Sequence, residues 1–345
     1  MSSAPTNEFP FIITTIPNTK SFSFNICAAG KFVIDWGDGN IEKINKNLTG
    51  ERTISHSYKN AAPHEIKLGG KATGYDGNAA ISFHENTNLA KIDGSLGQIF
   101  STLSDGTQPH FGTPWYWHGT FQECTNLTGS IPENLFAGIK GAPAKGMFIN
   151  TFYGCSNLTG SIPEKLFAGV SGAPAEDMFS HTFYGCSGLS GSIPEKLFAG
   201  IKGAPARYMF HYTFYGCTGL SGNIPEKLFA GIYGPPASDM FSGTFWNCSG
   251  LLGTMDWLGN IKNKKAPSAV TATNKESKPV VAPEFKPMPD MGMTGTISVD
   301  IKISSITPDD LAKIIQMACS ACNKPNIQIT SDIAKHVQQN NLNQR

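Results

Sequence analysis

The chain has 345 residues and a net charge of +1 with a pI near 7.6. It is therefore long enough for two or three domains and carries no broad field for nucleic acid or an anionic membrane. Only 15% of residues are charged while Gly (37) and Pro (22) are plentiful, a composition of turn-rich β or repeat proteins rather than helical bundles. No apolar run reaches the roughly 18 residues of a membrane span. The opening MSSAPTNEFPFIITT lacks the basic and long apolar regions of a secretory signal. Three settings follow from this: a cytosolic protein, a secreted one whose signal is gone, or a piece of a longer chain.

Residues 1–75 read as an antiparallel β domain. Phe9 to Phe24 alternates and is rich in Ile, Thr and Phe, a strand pattern. Lys31 to Ile34 runs into Asp35-Trp36-Gly37-Asp38-Gly39, and Asp-Gly between strand-like runs signals a hairpin whose central residues want positive φ. Strands at 41–44, 53–58 and 64–68 follow. DWGDG, then SHSY and HEIKLGG, resembles the PKD domain family, which implies an immunoglobulin-like β-sandwich of a secreted or surface protein. Asp35 and Asp38 admit a calcium reading through their carboxylate oxygens. The preferred reading is a plain hairpin turn with Trp36 packed on the sheet.

Residues 76–260 are organised by repetition. Cys124, Cys155, Cys186, Cys217 and Cys248 recur at one constant interval, and such a period marks an array whose units bury their apolar faces against one another. Within the unit Thr151 to Ala175, Leu158–Ile162 reads as a short extended edge. Ser161-Ile162-Pro163-Glu164 has the form of a capping box and predicts a short helix over 164–170. Pro174 opens a second predicted helix, 175–186, with Met178, Phe179, Phe183 and Cys186 on its inner face. Phe152-Tyr153-Gly154-Cys155-Ser156-Asn157-Leu158 with Ser161-Ile162-Pro163, and their copies, resemble the leucine-rich repeat family of bacterial surface proteins (BspA-like). The unit here is longer than the roughly 20–29 residues usual for that family. The implied fold class is α+β: a leucine-rich-type α/β solenoid of about four regular units with degenerate caps, preceded by the β-sandwich-like domain.

The five repeat cysteines are expected to form a row of buried thiols acting as small hydrophobes rather than a disulfide framework. The copies differ mainly at four places of the second predicted helix, which on a helix would share one outward face. The candidate ligand-binding residues there are Trp115, Trp117 (beside that face), His118, Lys145, Asn150, Glu176, Asp177, His181, Arg207, Tyr208, His211, Tyr212 and Asp239. Two readings stay open: drift at unconstrained exposed positions, or a binding strip whose per-unit variation sets specificity. The aromatic choices favour the strip, since aromatics are enriched at recognition surfaces and suit sugar rings. Tyr153, Tyr184 and Tyr215, with Trp246 in their place in the next copy, belong either to that surface or to the core edge. His118, His181 and His211 come from different units with no carboxylate partner at useful spacing, and no hydrolase, metalloprotease, phosphate-loop or dinucleotide motif is present.

Residues 261–295 read as a Lys/Pro/Ser-rich linker and 296–345 as a small α/β element suited to tethering or assembly. Its Cys319 and Cys322 form a lone C-x-x-C, too little for a zinc site; core packing or an incidental disulfide is the preferred reading. The sequence thus points to a non-enzymatic bacterial surface or secreted recognition protein that needs no cofactor and binds a protein or glycan of a host or neighbouring cell. An intracellular scaffold or injected effector is the alternative, and a carbohydrate-active enzyme a remote third.

Overall fold

The computed structural model describes residues 6–48, 50–113 and 119–253. The predicted linker and tail, and with them Cys319 and Cys322, lie outside the described residues.

The N-terminal part is two antiparallel sheets. Strands β1 (Phe11–Thr15), β2 (Thr19–Ile26), β3 (Ala29–Asp35), β4 (Ile41–Lys46), β5 (Arg52–Ala62), β6 (Glu65–Gly74), β7 (Ile81–Ser82) and β8 (Leu89–Gly94) follow one another along the chain. The larger sheet has the order β4-β3-β6-β1-β8 and the smaller β5-β2-β7. β8 lies beyond residue 75 yet closes one edge, pairing Ile13 with Ile92. The buried alternation of β2, Phe22, Phe24 and Ile26, supplies the smaller sheet's inner face. The β3–β4 hairpin is wider than a two-residue Asp-Gly turn. The Trp36 N–H donates to the Asn40 carbonyl (3.0 Å), and the positive-φ residues are Gly37 (φ 76°) and Gly39 (φ 92°), either side of Asp38.

The repeat region corrects the sequence-based fold class. Among the described residues there is no helix, so neither predicted helix forms and the α+β solenoid is overturned. The described architecture is all-β sheets joined to stacked, turn-built coils. In place of the first helix, Leu166, Ala168 and Val170 donate to carbonyls three residues back (3.0–3.2 Å), as linked turns do.

The second predicted helix is a ribbon of four-residue turns. The Phe148, Asn150 and Phe152 N–H groups donate to Met178, Ser180 and Thr182 of the next unit, at 2.9–3.1 Å. The Ile149, Thr151 and Tyr153 N–H groups donate three residues back, at 3.1–3.3 Å. An α-helix spends every interior N–H on its own axis; here every second one bonds the neighbouring coil. One residue in four is also left-handed: Asn150 (55°), Gly154 (72°), then Asp177 (56°), His181 (55°), Gly185 (70°), then Tyr208 (55°), Tyr212 (52°), Gly216 (71°). Right-handed helix geometry excludes these angles.

Stacking repeats every inward side chain on its own copy. Phe152, Phe183, Phe214 and Phe245 form one column with centroids 5.5–5.6 Å apart and planes within 8°. Phe148, Phe179, Phe210 and Phe241 form a second, and Phe136, Phe167, Phe198 and Phe229 a third. The five cysteines form a buried row of free thiols. The Cys155 Sγ donates to the Phe121 carbonyl (2.8 Å) and Cys186 to Phe152 (3.0 Å), so each thiol ties its unit to the one before. Burial pushes the Cys124 and Cys248 thiols up to about 12 and raises those between them well above the ordinary thiol value, so all five stay protonated and unreactive. Phe83 joins the two parts. Its ring meets Phe11, Phe22 and Phe24 of the sheets and stacks on Phe121 of the array (5.6 Å, 7°).

Candidate functional site: an aromatic patch on the turn ribbon

In the turn ribbon the inward positions come in adjacent pairs, Met178-Phe179 then Thr182-Phe183, all buried. Between these pairs lie the left-handed corner and its neighbour, which reach the surface in some copies, as at His181, His211 and Tyr212, and not in others. The four variable places therefore do not share one exposed face. Ile149, Asn150 and Ser180 are buried, Asn150 to 1%, with no hydrogen-bond partner for its Nδ2 or Oδ1. Trp115, Trp117 and His118 lie outside the described residues.

The remaining candidates divide into two groups. The first is charged. Lys145 Nζ lies 3.1 Å from Glu176 Oε2, and Arg207, one unit on, stands over the Tyr208 ring (4.4 Å) and donates to its hydroxyl (2.9 Å). Beside them burial, then Glu176, raises the Asp177 carboxyl to about 6 against the pull of Lys145 and Arg207. Asp239, in the same register two units further, accepts from Ser238 Oγ (2.8 Å).

The second group is aromatic. His181 contacts His211 edge to face (5.2 Å, 88°), Tyr212 (5.3 Å) and Tyr184 (5.6 Å). His211 lies 4.2 Å from Tyr212 and 5.1 Å from Tyr208. Behind them Tyr153, Tyr184 and Tyr215 stack face to face at 4.6 and 4.5 Å. Tyr212 meets Tyr215 at 81°, and Trp246 closes the row at 78° with 53% of its surface exposed. The stacked tyrosine faces cover one another, so the row offers ring edges and hydroxyls; Trp246 offers open aromatic surface. Burial raises the phenols of Tyr153, Tyr184 and Tyr212, which keeps them as O–H groups.

The patch is held rigid. A Cβ on Gly243 would overlap Cε1 and Cδ1 of Tyr212, so the Tyr212 ring lies across the bare backbone of the next unit. His181 Nδ1 shares a hydrogen bond with Ser180 Oγ (2.8 Å). Burial, then the charge of His211, lowers His181 to about 3; burial, against the pull of Asp239, lowers His211 to about 4. Both imidazoles are neutral at physiological pH, and the patch is uncharged.

Comparing copies for variation picks out His181, His211 and Tyr212 but passes over Tyr184 and Tyr215, which do not vary, and the structure places these in the same surface. Trp246 carries a signal of its own, as the copy that breaks the tyrosine row. The carboxylates at the hairpin are already engaged. Asp38 accepts from the Asn40 backbone and side chain (3.0–3.1 Å) and pairs with His56 Nε2 (2.8 Å). Asp35 accepts from the Gly37 N–H (3.0 Å). Trp36 is buried and stacks on His56 (4.9 Å, 16°), so the local geometry is that of the hairpin turn. Among the described residues no three His, Cys, Asp or Glu side chains are grouped to hold a metal ion, and no helix is long and apolar enough to cross a membrane. No family model matches the chain, and neither curated proteins nor solved structures give a match.

Proposed function

We propose that the chain is a non-enzymatic recognition protein, of a bacterial surface or secreted setting, that binds a protein or glycan through the aromatic patch of His181, Tyr184, His211, Tyr212, Tyr215 and Trp246. One observation carries this reading: copies that keep an almost constant core diverge at the turn corners and their neighbours, and in two adjacent units the divergence collects neutral aromatic rings in one cluster. Drift at unconstrained positions would scatter polar residues instead. Rigid aromatics add contact area at little conformational cost, and their faces and edges suit apolar side chains and the C–H faces of sugars. Neutral imidazoles and phenols contribute hydrogen bonds without a charge to desolvate.

The reading is tested by Trp246→Ala and Tyr212→Ala, singly and together, screened against glycan arrays and against intact cells. Retained folding with binding lost in the double variant supports it; binding unchanged in both assays overturns it. The free repeat thiols favour the intracellular scaffold as the second reading. Protease treatment of intact producing cells separates the two: cleavage of this chain places it outside, and full protection places it within.

A further inference from the structure

The array carries a second surface that shares no residue with the aromatic patch. The turn run that replaces the first predicted helix presents Glu195 and Lys196 in one unit and Lys227 in the next. Lys202 and Tyr233 stand in one register at the end of consecutive runs, held side by side as the Tyr233 N–H donates to the Gly203 carbonyl (3.0 Å). Together they line a shallow open cleft of about 530 Å³. Its wall is shaped by Gly231, where an added Cβ would come 3.0 Å from Lys202 Cγ. The Lys202 stem lies along that glycine, and Lys202 lines the cleft.

The charges in the cleft are unpaired. In the earlier units Lys165 pairs with Glu133 (3.6 Å) and Lys145 with Glu176 (3.1 Å). Among the described residues Lys196, Lys202 and Lys227 have no carboxylate within ion-pair distance. Three lysines and one glutamate line the cleft. Tyr233, 64% exposed, adds an aromatic face beside them.

We propose that this cleft binds a uronate residue of an acidic polysaccharide. The lysines attract its carboxylate. The Tyr233 ring receives the C–H face of the pyranose, which an inorganic anion lacks. Glu195 accepts sugar hydroxyls, and its own charge disfavours the denser anions of sulfated chains and nucleic acids. A cleft of this size holds one or two sugar rings. The proposal extends the recognition reading to another surface, and either can fail while the other stands.

The test is calorimetric titration of the full chain with a short oligogalacturonate, with its carboxyl-reduced neutral counterpart, and with heparin. The oligogalacturonate binds, its affinity falling with added salt, and the neutral form does not. Lys202→Glu weakens binding about tenfold and Tyr233→Ala several-fold, with melting unchanged because both side chains are on the surface; Tyr212→Ala leaves it unaltered. Equal affinity for the neutral oligosaccharide overturns the proposal, as does indifference to Lys202→Glu. Lysine-dependent binding of heparin without oligogalacturonate, or no binding to any probe, also overturns it.

Discussion

The β unit and the array solve the same problem in opposite ways. In the sheets every rung is different. Phe22, Phe24, Trp36 and Phe83 meet at tilts from 36° to 54° and fill an irregular core. In the array the core rungs repeat: rings within one phenylalanine column lie nearly parallel, and neighbouring columns meet at the same recurring tilt of 48–60°. Tilted packing lets each residue be chosen for its neighbours. Columnar packing requires each residue to suit its own copy, which freezes the columns and leaves the turn corners and their neighbours to vary. Variation between copies therefore gathers at the corners and beside them, where the columns constrain the side chain least.

The sharpest test of the contrast is where the two parts meet. Phe83→Ala removes a ring that touches both cores, and its loss is expected to cost about 3–5 kcal/mol. Urea unfolding followed by separate probes in the sheets and the array will show a single shifted transition; two separated transitions would mean the parts fold independently. Gly243→Ala comes next. It forces a side chain into the left-handed region at about 1–2 kcal/mol and displaces the Tyr212 ring. Ring-proton NMR of Tyr212 will report the displacement, and an unshifted ring would break the link between scaffold and patch.

Smaller effects follow from pH. Asp177 has its folded pKa raised to about 6, so its contribution is present below the unfolded carboxylate value near 3.9 and is lost as pH rises through about 6. Asp177→Asn is accordingly expected to stabilise the chain at neutral pH, by about 1 kcal/mol after allowance for solvent screening; thermal melts at low and neutral pH will show the gain only in the latter. The His181 and His211 shifts have the opposite sign. Their folded values near 3 and 4 lie below the unfolded 6.5, so the stability they lend is whole above that value and drains as pH falls towards 4 and then 3. In the β unit, desolvation of Asp38 is outweighed by its hydrogen bonds to His56 and Asn40, which hold its carboxyl near 2. Asp38→Asn should flatten a weak loss of stability below pH 4 that melts of the parent chain will show. This is the smallest change of the set, because the carboxylate is largely solvated.

The period of the array was legible because identical rungs write it into the chain: the cysteines return at one constant interval from Cys124 to Cys248. The coil's local geometry was not. Met178-Phe179, then Thr182-Phe183, then Cys186 recur every four residues, and over three turns a four-residue period passes for the 3.6 of a helix. The better signal lay in Gly154, Gly185 and Gly216, one residue before each cysteine, which stand at left-handed corners. The other corners are masked by Asp177, His181, Tyr208 and Tyr212, whose side chains give no hint of positive φ except in the known tolerance of Asp and His. The same disguise explains why the variable places looked like one exposed face. Helical spacing would put Asn150 and Ser180 outside; both are buried, while His181 and His211, in the same registers one unit on, reach the surface. The β hairpin at Asp38 was legible because its glycines sit where the chain must reverse.

Every second ribbon N–H leaves its own unit and finds the corresponding carbonyl in the next, so the backbone pairing between regular units repeats from one boundary to the next. A stretch of coding sequence for one whole unit can be duplicated or deleted without disturbing any contact beyond the seam. The reach of this molecule can thus lengthen by whole units under selection, each copy arriving with a fresh set of corners to be rewritten.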